Sequence, residues 1–155
     1  MAVFKLQLED FSSTEYELIA IHTSIESTKL AFLLNKNLNT RFCFFDTIDK
    51  TEKNEKGSFD RFLFFDVENE TSWNLIENKS IIKLENKSDS LFGDYEQYMF
   101  MVPEYKKADF ILKIDTEDNF LNIDTINQNI TKIESISMSY TIDKNKIKTK
   151  SNLIF

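Results

Sequence analysis

The chain has 155 residues, a formal net charge of −7, and only two Gly and one Pro. One domain of this length can bury a sizeable core without disulfides or metals, and 41% hydrophobic and 14% aromatic residues exclude a disordered chain. We predict a single domain over residues 1–155. The negative charge, with Arg41 and Arg61 as the only arginines, disfavours DNA or RNA binding by the whole surface.

The number of cysteines and the length of the apolar runs indicate the cellular compartment of the protein. Cys43 is the only cysteine, which excludes an internal disulfide and a thiolate metal cluster. The first ten residues alternate in polarity, and no apolar run approaches the ~20 residues that span a bilayer. We therefore predict a cytoplasmic protein without a membrane span. No motif points to a metal or a cofactor, so none is predicted.

The first third of the chain reads as strand, strand and helix. Alternating apolar residues at 4–8 predict a first strand, and residues 16–22 predict a second, more buried one. Thr23 and Glu26 fit a capping box. They predict a helix that continues to about Leu38.

The middle of the chain predicts further strands. Residues 41–45 form an aromatic run typical of a strand, and residues 46–58 read as a mobile charged loop. Extended segments follow at 59–67, 71–76 and 80–84.

Residues typical of turns recur between residues 77 and 103. The tetrapeptide Glu-Asn-Lys-Ser occurs at 77–80 and again at 85–88, a spacing typical of successive turns in a meander. Residues 95–102 predict a strand that stops at Pro103, because proline cannot donate to a strand ladder.

The last third predicts a strand, a helix and a strand. Residues 108–114 form the strand, and isoleucines at three- and four-residue steps over 123–133 predict the helix, with Asp118 or Asn119 as its cap. The final strand covers 135–142. Two strand–helix–strand units thus flank a meander, which predicts an α+β fold: a two-layer sandwich with a mixed, mostly antiparallel sheet and two main helices on one face.

Residues 102–110, Val-Pro-Glu-Tyr-Lys-Lys-Ala-Asp-Phe, are the signature segment. They resemble the signature of the IPExxxVDY family, with Pro103, Glu104 and Asp109 at the matching spacing. The segment departs from that signature at Val102, Ala108 and Phe110. The resemblance extends to residues 20–24, 72–76 and 151–155 and implies a cytoplasmic housekeeping protein of Bacteroidota. It implies no enzyme activity and carries over no catalytic residue.

The signature also has a physical interpretation. Pro103 suits the first position of a helical turn, where Glu104 complements the exposed N–H groups. Asp109 is placed to accept from backbone N–H groups where the next strand begins. The segment is therefore either a structural strand–turn–strand connector or a site for a ligand or a partner.

Four lysines recur at every second position near the end of the sequence: Lys144, Lys146, Lys148 and Lys150. An extended segment would place them on one face. That basic stripe predicts either an edge strand protected from aggregation or a contact with RNA phosphate or an acidic protein. No aromatic residue interleaves with it, which weakens the case for base stacking.

The printed sequence closes on the apolar residues Leu153, Ile154 and Phe155. They are predicted to pack on the domain's own sheet or to insert into a partner or a second copy.

Two residues, His22 and Cys43, have side chains of the types that take part in catalysis. His22 is interpreted as a hydrogen-bonded structural residue, with an acid–base role beside Glu104 and Asp109 as the alternative. Cys43 lies between phenylalanines and is interpreted as a buried, inert thiol.

The sequence favours a non-enzymatic cytoplasmic protein–protein interaction domain, with an unidentified protein or a second copy as the partner. An RNA- or ribosome-associated accessory protein, contacting nucleic acid through the lysine stripe, is the first alternative. An enzyme with a carboxylate and histidine site is the second. The candidate contact residues are Pro103, Glu104, Asp109, Lys144, Lys146, Lys148, Lys150, Leu153, Ile154 and Phe155.

Overall fold

The structure is a computed structural model that describes residues 15–82, 97–117 and 121–155. The strands are β1 Tyr16–Thr23, β2 Cys43–Glu52, β3 Glu55–Asp66, β4 Thr71–Glu77, β5 Lys79–Ile82, β6 Gln97–Phe100, β7 Phe110–Asp115 and β8 Ile136–Thr141, and the helices are α1 Ser27–Leu38 and α2 Ile123–Thr131. The predicted strand at 4–8, the caps Asp118 and Asn119 and the second Glu-Asn-Lys-Ser lie outside the described residues.

Six of the described strands form one sheet in the order β2-β3-β4-β7-β1-β8, and β5 pairs with β6 in a separate two-stranded sheet. Every described strand pair is antiparallel. The units β1–α1–β2 and β7–α2–β8 enclose the β2–β3–β4 meander. The predicted α+β sandwich is confirmed.

The two faces of the sheet carry separate cores. Alternate residues such as Ile19 and Leu112 pack against buried residues of both helices, including Leu34 and Ile130. The other face carries the second core, which contains Leu18 and packs against β5, β6, the signature segment and residues 142–155, here called the closing segment. The sequence predicted the helix layer but not this second covering.

The start of α1 differs from the prediction. Helix α1 begins at Ser27, and its N-cap Glu26 makes no side-chain capping bond. Thr23 instead ends β1, where its hydroxyl donates to the Ser135 carbonyl at 2.7 Å and accepts from the Ile25 N–H at 3.3 Å. The predicted capping box was wrong because the Thr23 hydroxyl is already engaged.

The predicted mobile loop at 46–58 was also wrong. Strand β2 continues through it to Glu52 and returns directly as β3, with Glu52 opposite Glu55. The two turn residues, Lys53 and Asn54, have φ of 49° and 65°. Positive φ at both positions is what a two-residue type I′ hairpin requires, so this stretch is a tight hairpin without glycine.

Helix α2 has a different cap from the two predicted ones. Its N-cap is Asn122, whose side chain accepts from the Thr125 N–H at 3.2 Å. This bond satisfies one of the N–H groups that the first helical turn leaves unpaired.

Candidate interaction surface

The signature segment forms the predicted turn. Strand β6 ends at Phe100, and Pro103–Tyr105 is a 3-10 helical turn with proline at its start. Two backbone bonds close it, from the Tyr105 N–H to Val102 and from the Ala108 N–H to Tyr105, both at 3.0 Å. The interpretation of Pro103 as a strand stop and turn start is confirmed.

A buried asparagine that the sequence did not single out holds this turn. Asn78 is fully buried between β4 and β5. Its side-chain amide donates to the carbonyls of Tyr105 and Ala108, both at 2.9 Å, and its side-chain oxygen accepts from the Val102 N–H at 2.8 Å. One side chain therefore fixes both ends of the turn against the sheet.

Glu104 joins the turn to the closing segment. Its carboxylate accepts from the backbone N–H groups of Lys148 and Thr149 at 3.1 and 3.2 Å, and from the Thr149 hydroxyl at 2.9 Å. Desolvation pushes the pKa of Glu104 upward, but hydrogen bonds from its own backbone, Thr149 and Lys148 together outweigh it and lower the pKa. The ionised carboxylate thus stabilises the folded segment.

Replacing Glu104 with Gln should therefore lower stability in a pH-dependent way. Because the pKa of Glu104 is lower in the folded state, its contribution is complete above its ordinary value of 4.5 and is lost as the pH falls through the folded value. We expect E104Q to melt about 1–3 °C below the wild type at pH 7, a small effect because the group is exposed.

The melting difference should disappear in acid, and thermal melts between pH 3 and pH 7 measure it. E134Q is the matched control, because Glu134 is exposed and makes no hydrogen bond or ion pair within the described residues. A difference for E104Q that is independent of pH would contradict the assigned role.

Asp109 bonds to the neighbouring strand rather than to its own. Its side chain accepts from the Thr23 N–H at 2.9 Å and pairs with the Lys79 ammonium at 3.1 Å. Its backbone N–H donates to the Ile21 carbonyl at 2.9 Å. Asp109 therefore fixes the start of β7 to the end of β1, as an extension of their pairing.

The four lysines do not form an extended stripe, and the prediction of an edge strand was wrong. Lys144–Lys146 and Lys150–Leu153 are 3-10 turns, so the alternation in sequence is not an alternation in space. Lys144 lies 3.8 Å from Glu17, whereas Lys146, Lys148 and Lys150 are exposed.

The last three residues divide between core and surface. Leu153 is buried in the second core, and the Asn152 side chain donates to the Met101 carbonyl at 3.0 Å beside it. Ile154 is 80% exposed and Phe155 43% exposed. The closing segment therefore has a fixed base on the domain's own sheet and an apolar tip in solvent.

Phe155 belongs to a chain of alternating rings and cations across the second face, which we call the ladder: Phe45, Arg61, Phe155, Lys113, Tyr16 and Lys144. The successive distances from cation to ring centroid are 4.6, 5.2, 5.2, 5.1 and 5.4 Å. All lie within the range in which a ring attracts a cation. Aromatic residues and cations do interleave here, although they are remote in sequence.

The ladder is nearly neutral. Arg61 makes two hydrogen bonds of 2.8 Å to Asp46, and Lys113 lies 3.2 Å from Asp115. With Lys144 beside Glu17, each cation has its own carboxylate. A polyanion gains little long-range attraction from such a surface, whereas aromatic residues and arginine are common at protein interfaces.

The residues of the enzyme hypothesis are not joined. The His22 ring nitrogen Nε2 lies 3.0 Å from the Tyr140 hydroxyl, so its interpretation as a hydrogen-bonded residue is confirmed. Within the described residues, no hydrogen bond connects His22 with Glu104 or Asp109. Cys43 is exposed rather than buried, because it lies on the edge strand β2.

A cleft of about 670 Å³ lies at the opposite end of β7 from the signature segment. Residues of the β3–β4 turn and the start of α2 line it, among them Glu68, Glu70 and Asn122. None of the predicted site residues lines this cleft, which separates it from the candidate surface.

Among the described residues, no group of three or more His, Cys, Asp or Glu side chains could hold a metal ion. No helix in the described ranges is long and apolar enough to cross a membrane. No protein-family model, curated protein or solved structure matches the chain.

Proposed function

We propose that this chain is a non-enzymatic protein–protein interaction domain whose contact surface is the ladder together with Ile154. The observation that carries the proposal is the apolar tip of the closing segment. Ile154 is 80% and Phe155 43% exposed, and Phe45, 56% exposed, shares the Arg61 cation with Phe155. Exposed apolar groups gathered on a rigid base are typical of protein contact sites.

The signature segment supports this surface from beneath. Asn78 holds the turn, and Glu104 holds Lys148 and Thr149, so the backbone that presents the tip is fixed before a partner arrives. Preorganisation of this kind lowers the entropy lost on binding. We propose that the signature acts indirectly, by positioning the closing segment.

We further propose that the chain is a divergent cytoplasmic member of the IPExxxVDY family of Bacteroidota. The support is that all three matching residues have a defined role in the fold. Pro103 starts the turn, Glu104 accepts three bonds from the closing segment, and Asp109 joins two strands. A free Cys43 is in keeping with a reducing compartment.

Affinity capture from native lysate tests the proposed surface. The variant I154S removes the most exposed apolar side chain of the tip and leaves Phe155 in place, and F32S is the matched control because Phe32 is 64% exposed on α1, on the other face of the sheet. We expect a stoichiometric protein partner with the wild type and F32S but not with I154S. The same partners with all three proteins would contradict the surface.

A second candidate is contact with RNA through exposed lysines. Lys106, Lys107, Lys146, Lys148 and Lys150 are exposed, and none makes an ion pair within the part of the chain that the structure describes. Nuclease treatment of the lysate before capture separates the two candidates. A protein partner survives this treatment, whereas an RNA-dependent complex is lost and would replace the proposal.

A further inference from the structure

Phe155 differs from the other two rings of the ladder in where it comes from. Phe45 lies on β2 and Tyr16 on β1, so the sheet itself fixes their positions. Phe155 follows the last 3-10 turn and reaches the sheet from above. Its ring completes the ladder without being part of a strand.

The ring of Phe155 lies between two cations that come from non-adjacent strands. Arg61 is on β3 and Lys113 on β7, with β4 between them, so their strands are about 10 Å apart. The ring centroid lies 5.2 Å from each cation. These two cations, flanked by the rings of Phe45 and Tyr16, form what we call the seat.

The seat is better suited to bind an aromatic ring than an anion. Both cationic side chains are only 11% exposed, and each is already paired with a carboxylate. An added anion would meet Asp46 and Asp115 as well as the cations. A ring brings its negative face without a net charge, so it suits a seat whose charges are already balanced.

The backbone of Phe155 is held less firmly than that of the residues just before it. Leu153 is buried, and the last backbone bond runs from the Ile154 N–H to the Ser151 carbonyl at 3.3 Å. Within the described residues, the Phe155 backbone makes no hydrogen bond. Rotation at Ile154 and Phe155 can therefore lift the ring while Leu153 stays in the core.

We propose that the seat is a binding site for an aromatic side chain of a protein partner, and that Phe155 is a tethered occupant which the partner's ring displaces. This inference rests on the proposed function and specifies the partner's chemistry. A tethered ring competes at an effective concentration in the millimolar range, so a partner must supply contacts beyond the ring. The exposed Ile154 beside the seat is available for such contacts.

The test uses the full chain with F155A, which empties the seat and leaves Leu153 in place. The probe is an acetylated and amidated peptide, Asn-Leu-Ile-Phe, which repeats residues 152–155. The matched control peptide carries cyclohexylalanine instead of Phe, which keeps the shape and removes the π system. Binding is followed by NMR chemical shifts, including the Arg61 side-chain N–H and the Lys113 amide.

We expect the Phe peptide to shift the Arg61 and Lys113 signals of F155A. Cyclohexylalanine should weaken its affinity about fivefold to twentyfold, because two cation–ring contacts are lost. The wild type should bind the Phe peptide at least about tenfold more weakly than F155A does, because Phe155 competes for the seat. The variant F155A/K113M removes one cation but keeps most of the side chain's apolar stem. It should bind the Phe peptide about twofold to fivefold more weakly than F155A does.

Four results would each contradict the proposed seat. They are equal affinity for the two peptides, equal binding to the wild type and F155A, chemical-shift changes confined to other regions, and no binding at all. The spectrum of F155A away from the ladder must match that of the wild type, which shows that the variant is folded. If the seat fails while I154S still loses its partner, the interaction domain stands. If the seat binds the ring but native lysate yields no partner, the proposed function fails and the ring site remains.

Discussion

Replacing Asn78 with Ala should lower the free energy of unfolding by about 2–4 kcal/mol. The substitution leaves the Val102 N–H and the Ala108 carbonyl without the bonds of 2.8 and 2.9 Å that Asn78 now makes. Val102, Ala108 and Asn78 are all fully buried, so water cannot replace those bonds without opening the second core. Tyr105 is less affected, because its carbonyl also accepts from the Ala108 N–H.

Urea unfolding of N78A measures this loss, and N37A is the matched control. Asn37 is an exposed helical residue whose amide donates to the Leu33 carbonyl one turn earlier. We expect N37A to change stability by less than about 0.5 kcal/mol. A loss for N78A no larger than that of N37A would contradict the assignment of Asn78 as the anchor of the signature segment.

Asn78→Asp extends the test to the two donated bonds. Aspartate keeps the acceptor for the Val102 N–H but directs a second oxygen at the carbonyls of Tyr105 and Ala108. Repulsion and a buried charge then add to the lost bonds. We expect N78D to be at least as unstable as N78A at pH 7, and to recover partly in acid, where the carboxyl is protonated and can donate.

The behaviour of the signature segment could be predicted because its determinants are local. Pro103 ends a strand wherever it occurs, and Glu104 directly after it favours a helical turn. Asn78 could not be found in the same way. It lies in a Glu-Asn-Lys-Ser tetrapeptide that reads as a surface turn, and its partners are backbone groups 24–30 residues away. All residue types except proline have the same backbone groups, so the sequence does not indicate which of them a side chain will bind.

The β2–β3 hairpin was missed for a related physical reason. Strand β2 is an edge strand with mostly exposed or half-buried side chains, so its sequence is polar and lacks the alternation of a half-buried strand. The turn uses Lys53 and Asn54 with positive φ, where glycine is the usual signal. Polar edges and glycine-free turns both look like loops when only composition is considered.

The ladder could not be predicted because its members meet only in the folded sheet. Its cations and rings come from β2, β3, β7, β1 and the closing segment, and adjacent members are up to 128 residues apart, as in Tyr16 and Lys144. The sequence did single out Phe155 and Lys144, for their apolar and basic character. Their joint position depended on a strand order that the sequence does not specify.

Replacing Leu153 with Ala should lower the free energy of unfolding by about 2–4 kcal/mol, the range for removing a buried leucine side chain. Leu153 is a buried residue of the closing segment that belongs to the second core, together with Ile147 and Leu18. Its loss also frees the backbone that carries Phe155, so the 5.2 Å contacts with Arg61 and Lys113 should weaken. One substitution therefore reduces both stability and the proposed surface.

Hydrogen exchange locates the effect of L153A, and I154A is the matched control at the adjacent position. The N–H groups of Lys148 and Thr149, now bonded to Glu104, should exchange faster in L153A by more than the global loss of stability explains. I154A should leave both stability and exchange nearly unchanged, within about 0.5 kcal/mol, because Ile154 is 80% exposed. Capture of a partner should fail for both variants, but only L153A should also be destabilised. Equal stability of L153A and I154A would contradict the division of this segment into a buried anchor and an exposed tip.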